Sequence, residues 1–203
     1  QGFIYHALNQ ASIDDAYLVQ LVWEYNSQLE VDLLKEAWNY AQQKFSCLRL
    51  RLAWEEELIQ VIDKEGSLDW RYIDLSNKAE KDQEFNIQDI LEKDRAEPFI
   101  LEQGCLFRIY LIKMRNELFT CVFSNHHAIL DGWSVPILFG YVHEVYLKLK
   151  DRTPILLIKD HSYEVTQSYL QEHKDDHEEY WDKYVEQIEE QVDLSGLLIS
   201  KYK

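Results

Sequence analysis

The side chains best suited to chemistry in this chain lie in the nine-residue stretch HHAILDGWS, which contains His126, His127, Asp131 and Gly132. A neutral imidazole, with an ordinary pKa of about 6.5, can accept a hydrogen bond or a proton from an attacking nucleophile near neutral pH. Asp131 can accept backbone hydrogen bonds or pair with an arginine, which would fix the loop. Gly132 permits backbone geometry that a Cβ forbids. The combination predicts a base or positioning group on a rigid loop.

The elements on either side of this stretch place it at the edge of a sheet. Residues 118–125 (LFTCVFSN) are apolar and β-prone, and they predict a strand buried on both faces. Apolar residues at helical spacing after Gly132 predict a helix from Pro136 to Lys150. The histidines therefore lie where a core strand ends and the chain enters a helix, a common place for chemistry in α/β proteins. Because successive residues at a strand end point to opposite sides, only one histidine can face a given cleft.

The rest of the chain predicts a mixture of strands and helices. Strands are predicted at 17–25, 48–54, 58–63, 70–75 and 105–114, the last pairing with 117–125 as a hairpin. Helices are predicted at 31–45, 86–97, 162–173 and 175–190, with a short helix or turn at 3–8 and an extended run at 154–158. Since the two types do not alternate strictly, the predicted fold class is α/β (α+β), a mixed β-sheet flanked by helices.

Composition narrows the possible functions. The chain has 203 residues, of which 46% are hydrophobic and 13% aromatic, so it is long enough and apolar enough to build a real core. A net charge of −16 argues against binding nucleic acid, which needs clustered Lys and Arg. No apolar run reaches membrane-spanning length, and residues 1–10 lack the plan of a signal peptide. We therefore expect a cytoplasmic protein that binds neither nucleic acid nor membrane.

The cysteines and histidines do not predict a metal site. Cys47, Cys105 and Cys121 lack metal-ligand spacing, and reduced thiols in a cytosolic protein account for them. Adjacent histidines such as His126 and His127 rarely chelate one ion, and no third ligand is placed convincingly.

Four motifs resemble those of one enzyme family, in the family's order. The stretch HHAILDGWSVPIL is similar to the core motif of the condensation domains of nonribosomal peptide synthetases, whose signature is HHxxxDG. The segments QGFIYHAL and EPFILEQGCLFRIYLIK resemble the family's opening motif and its PFxLxxGxLxR motif. KFSCLRLRL resembles RHExLRTxF in part, because Leu48 and Arg49 are kept while Phe45 and Leu50 replace the family's His and Thr. The likeness extends from residue 1 to about residue 184.

This resemblance implies a role for each residue of the motif. His127 would take the catalytic position, near the amine that attacks a thioester, and His126 would be structural. Asp131 would form a salt bridge with Arg49 that shapes the loop. Gly132 would line the substrate channel and leave room for a pantetheine arm.

The resemblance also implies the reaction and its partners. The reaction is amide bond formation between a donor acyl or peptidyl thioester and an acceptor aminoacyl thioester. Both are presented on phosphopantetheine arms of peptidyl carrier protein domains, and the chain itself binds no cofactor. Residues 1–190 would be the N-terminal lobe of the domain, of the chloramphenicol acetyltransferase-like fold. Residues 191–203 would begin a connector to a missing C-terminal lobe, so we expect weak or no activity from this chain alone.

Other functions remain open at this stage. A stand-alone CoA-dependent acyltransferase shares the histidine motif but carries it near its C-terminus, whereas dozens of residues follow it here. Epimerisation domains carry the same histidines with HHxxxDGVSW, which differs from the Gly132-Trp133-Ser134 order. A non-catalytic lobe that only docks carrier proteins is a third possibility. Within the condensation family, DGWSVPIL and GFIYHAL are more similar to domains that accept a D-configured donor.

Overall fold

The structure is a computed structural model that describes residues 17–54 and 58–186, in two compact units with the boundary after His161. The described part of the first unit contains strands, three helices and a short 3-10 turn at Ser46–Arg49. In chain order these are β1 (Leu18–Tyr25), α1 (Val31–Lys44), β2 (Leu50–Trp54), β3 (Leu58–Ile62), β4 (Asp69–Asp74), α2 (Glu80–Ala96), β5 (Phe107–Arg115), β6 (Leu118–His126) and α3 (Ser134–Lys150).

A mixed four-stranded sheet in the order β1-β6-β5-β4 forms the centre of the first unit. The hairpin of β5 and β6 is antiparallel, β1 adds antiparallel to β6, and β4 adds parallel to β5. Strands β2 and β3 form a separate antiparallel pair. The predicted fold class, a mixed sheet flanked by helices, is confirmed.

Helices α1 and α3 cover one face of this sheet through aromatic side chains. The indole of Trp38 on α1 stacks on Phe123 of β6, with ring centroids 5.3 Å apart. Phe139 of α3 meets Phe123 edge-on at 5.4 Å, and Phe107 of β5 lies 6.0 Å from it. Such pairs contribute about 0.5–1.5 kcal/mol each beyond the area they bury. This face therefore holds β6 and α3 in a defined position on either side of the histidine loop.

Helix α2 covers the opposite face. Its Leu91 joins a cluster with Leu75, Tyr110, Ile112 and Val122. Residues of β5 and β6 alternate between the two faces, as the period of a strand requires. Because both faces are covered, β5 and β6 are buried almost throughout, as the continuous apolar runs predict.

Several boundaries differ from those predicted. Helix α2 begins at Glu80, six residues before the predicted start. The prediction missed this first turn because it carries no apolar periodicity. Glu80 and Asp82 stabilise the turn, since acidic side chains interact favourably with the positive end of the helix dipole. Residues 154–158 form no strand, and nearby only Asp160 makes an isolated bridge, to Phe45. The predicted element at 3–8 lies outside the described residues, as do the end of the helix predicted at 175–190 and the connector at 191–203.

The second unit contains helices α4 (Ser162–Glu172) and α5 (Glu178–Val185) within its described part. None of the residues in either helix is buried, and the apolar side chains of α5 stack mainly on one another: the rings of Tyr180 and Tyr184 lie 6.1 Å apart.

Candidate functional site

The histidine loop is anchored by hydrogen bonds at the end of β6. The backbone N–H of His126 donates to the carbonyl of Leu106 at 2.9 Å, just before β5 begins. The N–H of His127 donates to the carbonyl of Tyr17 at 2.8 Å, just before β1 begins. Both neighbours of β6 therefore fix the backbone of this pair, so the sheet itself sets the direction of each imidazole.

His126 is turned into the protein. Only 1% of the residue is exposed, and its ring lies 5.9 Å from that of Tyr17. Its Nδ1 accepts a hydrogen bond of 3.1 Å from the backbone N–H of Ala128. A ring nitrogen that accepts carries no proton, so the proton of the neutral ring is on Nε2. This geometry makes His126 a brace for the turn.

His127 is partly exposed and adopts the opposite tautomer. Its Nδ1 lies 2.8 Å from the carbonyl oxygen of Leu130. Since a carbonyl can only accept, Nδ1 is the donor, and the lone pair of the neutral imidazole belongs to Nε2. A base or positioning group needs such a fixed ring, with the accepting nitrogen directed away from the bond that orients it.

Asp131 organises the first turn of α3. Its Oδ1 accepts hydrogen bonds from the backbone N–H of Ser134 at 2.8 Å and from the Ser134 hydroxyl at 2.6 Å. These bonds favour the ionised carboxylate and lower the pKa of Asp131. Gly132 follows in an exposed position, where an added Cβ would meet no atom of the described residues within 4 Å.

Arg49 and Asp131 do not pair with each other in this structure. Arg49 is 9% exposed and donates from Nε to the carbonyl of Gln42 at 2.9 Å. Its Nη1 donates to the carbonyls of Asp63 at 2.7 Å and Lys64 at 3.3 Å. Asp131 is exposed and bonded to Ser134. The expected salt bridge is absent. The hydroxyl and backbone N–H of Ser134 bind the Asp131 carboxylate, and backbone carbonyls of the turn after β3 bind the Arg49 guanidinium.

Sequence reasoning did not find a buried polar network behind β6. Asp94 of α2 is fully buried and accepts from Nε of Arg108 at 2.5 Å, from Nε2 of Gln20 at 2.5 Å and from the Ser124 hydroxyl. Arg108 belongs to one of the recognised motifs, but no sequence spacing connects it with Asp94. The network joins α2 to three strands, and Ser124 lies two residues before His126 on the same face.

The described residues contain neither a group of metal-ligating side chains nor a helix that could span a membrane. Over residues 17–54 and 58–186, no three His, Cys, Asp or Glu side chains are grouped so as to hold a metal ion. Within the same ranges, no helix is both long and apolar enough to cross a bilayer.

A paired-histidine loop at the end of the central strand of a mixed sheet defines the chloramphenicol acetyltransferase-like class of lobes. Comparison with solved structures agrees. The starter condensation domain of rhizomide synthetase matches with a TM-score of 0.73 at 20% identity, over 93% of this chain and 48% of that one. The first condensation domain of the calcium-dependent antibiotic synthetase matches with a TM-score of 0.69 at 20% identity, over 83% and 43%.

Sequence comparison identifies the family. The model of the condensation domain matches residues 1–200, and the chain belongs to this family. It is 44% identical over 203 residues to the N-(5-amino-5-carboxypentanoyl)-L-cysteinyl-D-valine synthase of Amycolatopsis lactamdurans, covering 99% of this chain. It is 45% identical over 208 residues to the synthase of the same name from Penicillium chrysogenum. The chain spans 6% of the length of each.

These comparisons confirm the predicted family. The chain is a condensation-domain sequence of the nonribosomal peptide synthetase type, an acyltransferase class whose members form peptide bonds. These findings argue against a stand-alone acyltransferase. The relatives named above are synthases, and the condensation-domain model covers nearly the whole chain.

Proposed function

We propose that this chain supplies the histidine-bearing half of a condensation site that joins a donor thioester to an acceptor amine. The observation that carries the proposal is the locked ring of His127, whose Nδ1–H is bonded to the Leu130 carbonyl at 2.8 Å. That bond leaves Nε2 as the accepting nitrogen of the neutral imidazole.

The chemistry requires little more than correct placement. The neutral acceptor amine attacks the donor carbonyl carbon, the C–N bond forms and the C–S bond breaks. The amine nitrogen gives up one proton and the departing sulfur takes one up, so the donor arm leaves as a thiol. Nε2 of His127 accepts a hydrogen bond from the attacking amine and orients its lone pair. An amine with a pKa of about 8 is already neutral in part at pH 7, so orientation contributes more than proton removal.

The remaining residues of the motif support the loop. His126 holds the turn through the Ala128 N–H, and Asp131 anchors the start of α3 through Ser134. Gly132 leaves open the space in which a phosphopantetheine arm would pass. Since the matched condensation domains are about twice as long as the matched region, residues outside this chain complete the cleft.

The partners are the donor and acceptor peptidyl carrier protein domains and the complementary half of the same domain. The family relationship supports phosphopantetheine-bound substrates, and we infer a cytoplasmic location from the composition. Two hydrogen bonds within this chain hold His127, one from its Nδ1–H to the Leu130 carbonyl and one from its backbone N–H to the Tyr17 carbonyl.

The configuration of the donor is a separate proposal. In the tripeptide named by the relatives, the residue printed as D is valine, which stands last and donates to no peptide bond. We therefore infer that this chain accepts an L-configured donor, although its motifs are more similar to those of domains that accept a D-configured donor.

A condensation assay on the full-length parent synthetase tests these proposals. The donor carrier is loaded with an L- or a D-configured acyl group and the acceptor carrier with an aminoacyl group, and the dipeptidyl thioester is quantified by mass spectrometry. We expect product with the L donor. Product with the D donor alone would reverse the assigned configuration. No product with either donor, but acetylation of a free amine by acetyl-CoA, would favour the stand-alone acyltransferase. Carrier binding without any chemistry would favour the docking lobe.

A further inference from the structure

Asn125 places an amide side chain in the aromatic layer between the sheet and helices α1 and α3. The residue is 1% exposed and lies two positions after Phe123 on β6, so the two side chains point to the same face. Its partner in the register with β5 is Phe107, whose ring lies 6.3 Å from that of Trp38. Aromatic neighbours offer an amide few partners, so a polar side chain is unfavourable at this position.

Only one side of the Asn125 amide is hydrogen-bonded within the described ranges. Its Nδ2 donates to the backbone carbonyl of His126 at 3.0 Å. Because a carbonyl can only accept, the group that faces it must be the NH2 of the amide. The Oδ1 on the other side is buried and accepts no hydrogen bond from any residue in 17–54 or 58–186. A buried acceptor without a donor destabilises the fold, so stability does not explain why an amide stands here.

The bond from Asn125 acts on the peptide that joins the two histidines. The carbonyl of this peptide, which belongs to His126, also accepts from the N–H of Ile129 at 3.2 Å. The N–H of the same peptide belongs to His127 and donates to the carbonyl of Tyr17 at 2.8 Å. Both ends of this planar group are therefore bonded, and its orientation limits where the Cα–Cβ bond of His127 can point.

We propose that Asn125 is a positioning residue for condensation. Its amide holds the His126–His127 peptide so that the imidazole of His127 keeps its bond to Leu130 and presents Nε2 to the attacking amine. The fold does not depend on this amide, because without it the His126 carbonyl keeps the N–H of Ile129 as a donor. The role in condensation rests on the proposed function, whereas the effect on the ring does not.

Nitrogen-15 NMR of the histidine rings in the 203-residue chain tests the positioning without any condensation step. At pH 8, where an ordinary imidazole is neutral, His127 should show a protonated Nδ1 and an unprotonated Nε2. The signals lost in His127→Ala identify this ring. Asn125→Leu keeps the branching at Cγ but has no donor, and it should move both nitrogens toward the averaged shifts of an exchanging imidazole. Unchanged shifts would overturn the proposal.

The melting temperature of the same variant separates positioning from a purely structural role. Asn125→Leu should melt at or above the temperature of the wild type, because it removes the unpaired Oδ1. Asn125→Ala also lacks the amide but adds no bulk, so it should give the same change in the His127 shifts if leucine overpacks the layer. Failure of both variants to fold would overturn the proposal, because Asn125 would then serve the fold and not the ring.

Condensation by the full-length parent gives the functional readout. Asn125→Leu should lower kcat about ten- to hundredfold, because a small misplacement of a positioning group has effects of that size. KM for the loaded acceptor carrier should stay unchanged, since a residue that is 1% exposed offers no surface to a carrier. The matched control is Thr120→Val, which also replaces a buried polar side chain of β6, near the start of the strand, and should keep the wild-type kcat.

The kinetic outcomes distinguish this inference from the proposed function. A wild-type kcat in Asn125→Leu, or an effect on KM alone, would overturn the role of Asn125 in condensation. An equal loss in Thr120→Val would overturn it as well, because any change in the polarity of β6 would then suffice. Wild-type turnover in His127→Ala would instead remove the proposed function, and the ring shifts would still report whether Asn125 orients His127.

Discussion

Adjacent histidines in this chain have opposite hydrogen-bonding roles at the same ring atom. Nδ1 of His126 accepts from Ala128, whereas Nδ1 of His127 donates to Leu130. The difference arises because the strand ends between them: His126 follows the alternation of β6 into the protein, and His127 belongs to the turn. His126 therefore supports the loop, and we propose that His127 positions the attacking amine.

Replacing each histidine by alanine should separate these roles. In the full-length parent, His127→Ala should abolish or greatly reduce condensation without unfolding the lobe. His126→Ala should lower the stability of this chain by about 1–3 kcal/mol, because it removes a buried ring, opens a cavity and leaves the half-buried N–H of Ala128 without its acceptor. Thermal denaturation and the condensation assay measure the two effects. Wild-type turnover in His127→Ala would remove this residue from the mechanism.

Ser134→Ala should raise the pKa of Asp131 toward its ordinary value, because the hydroxyl that donates to the carboxylate, the largest cause of the lowered pKa, is lost. The folded-state pKa is lowered, so this contact stabilises the fold above the unfolded pKa of about 3.9 and is lost as pH falls through the folded value. A carboxyl titration by NMR measures the shift. The stability difference between wild type and variant should be present at pH 7 and absent at strongly acidic pH; a difference that persists in acid would mean that Ser134 acts by another route.

At the scale of elements, the buried Asp94 joins α2 to the sheet. Arg108 of β5, Ser124 of β6 and Gln20 of β1 all donate to its carboxylate, and the Arg108 guanidinium also lies 4.3 Å from the ring of Phe99. Apolar packing alone allows a helix to slide over a sheet, whereas these directional bonds define one position. Because Ser124 lies in the strand that ends at His126, the network also holds the base of the histidine loop.

Asp94→Asn should destabilise the chain by roughly 3–5 kcal/mol, because the buried Arg108 loses its buried carboxylate partner and keeps only the 3.5 Å contact with the exposed carboxylate of Glu97. Asp89→Asn on the same helix is the matched control. Its i,i+4 pair with Lys93 is exposed, so its loss should cost less than about 1 kcal/mol. Urea denaturation gives both values, and hydrogen exchange at the amides of Ser124 and His126 reports the effect on the loop. Similar losses in the two variants would show that Asp94 does not hold α2.

At the scale of the whole molecule, the chain corresponds to about half of a solved condensation domain, 48% in the rhizomide match. A hydrogen bond within this chain orients the His127 ring, whereas the residues at 131–133 that follow are exposed, Trp133 to 87%. Orientation of the His127 ring is therefore local, whereas under the proposed function residues outside this sequence would complete the cleft.

We expect weak or no condensation from this chain alone and dipeptide formation when the separately expressed complementary half is added. The assay uses donor- and acceptor-loaded carrier proteins, with chain carrying His127→Ala plus the complementary half as the control. Product from the wild-type chain alone would mean that it self-associates into a working cleft.

The sequence by itself determined the family, the fold class and the place of the histidine loop. The strong apolar runs of β5 and β6, the helical period of α3 and the HHxxxDG spacing are local signals, and local signals can be read along a chain. Arg49 shows the limit of such local signals. Its motif predicted a salt bridge with Asp131, but the partner that a side chain finds depends on which groups the fold brings close to it.

Only the tertiary structure decided the tautomers of the two histidines, the Asp94–Arg108 network and the hydrogen-bond partners of Arg49. The His127 tautomer depends on a backbone carbonyl, which every residue possesses and no side-chain pattern marks. The Asp94 network joins four elements separated by as many as 74 positions, and no sequence period connects them. Contacts of this kind follow from how the helices pack on the sheet, and packing is a property of the whole fold.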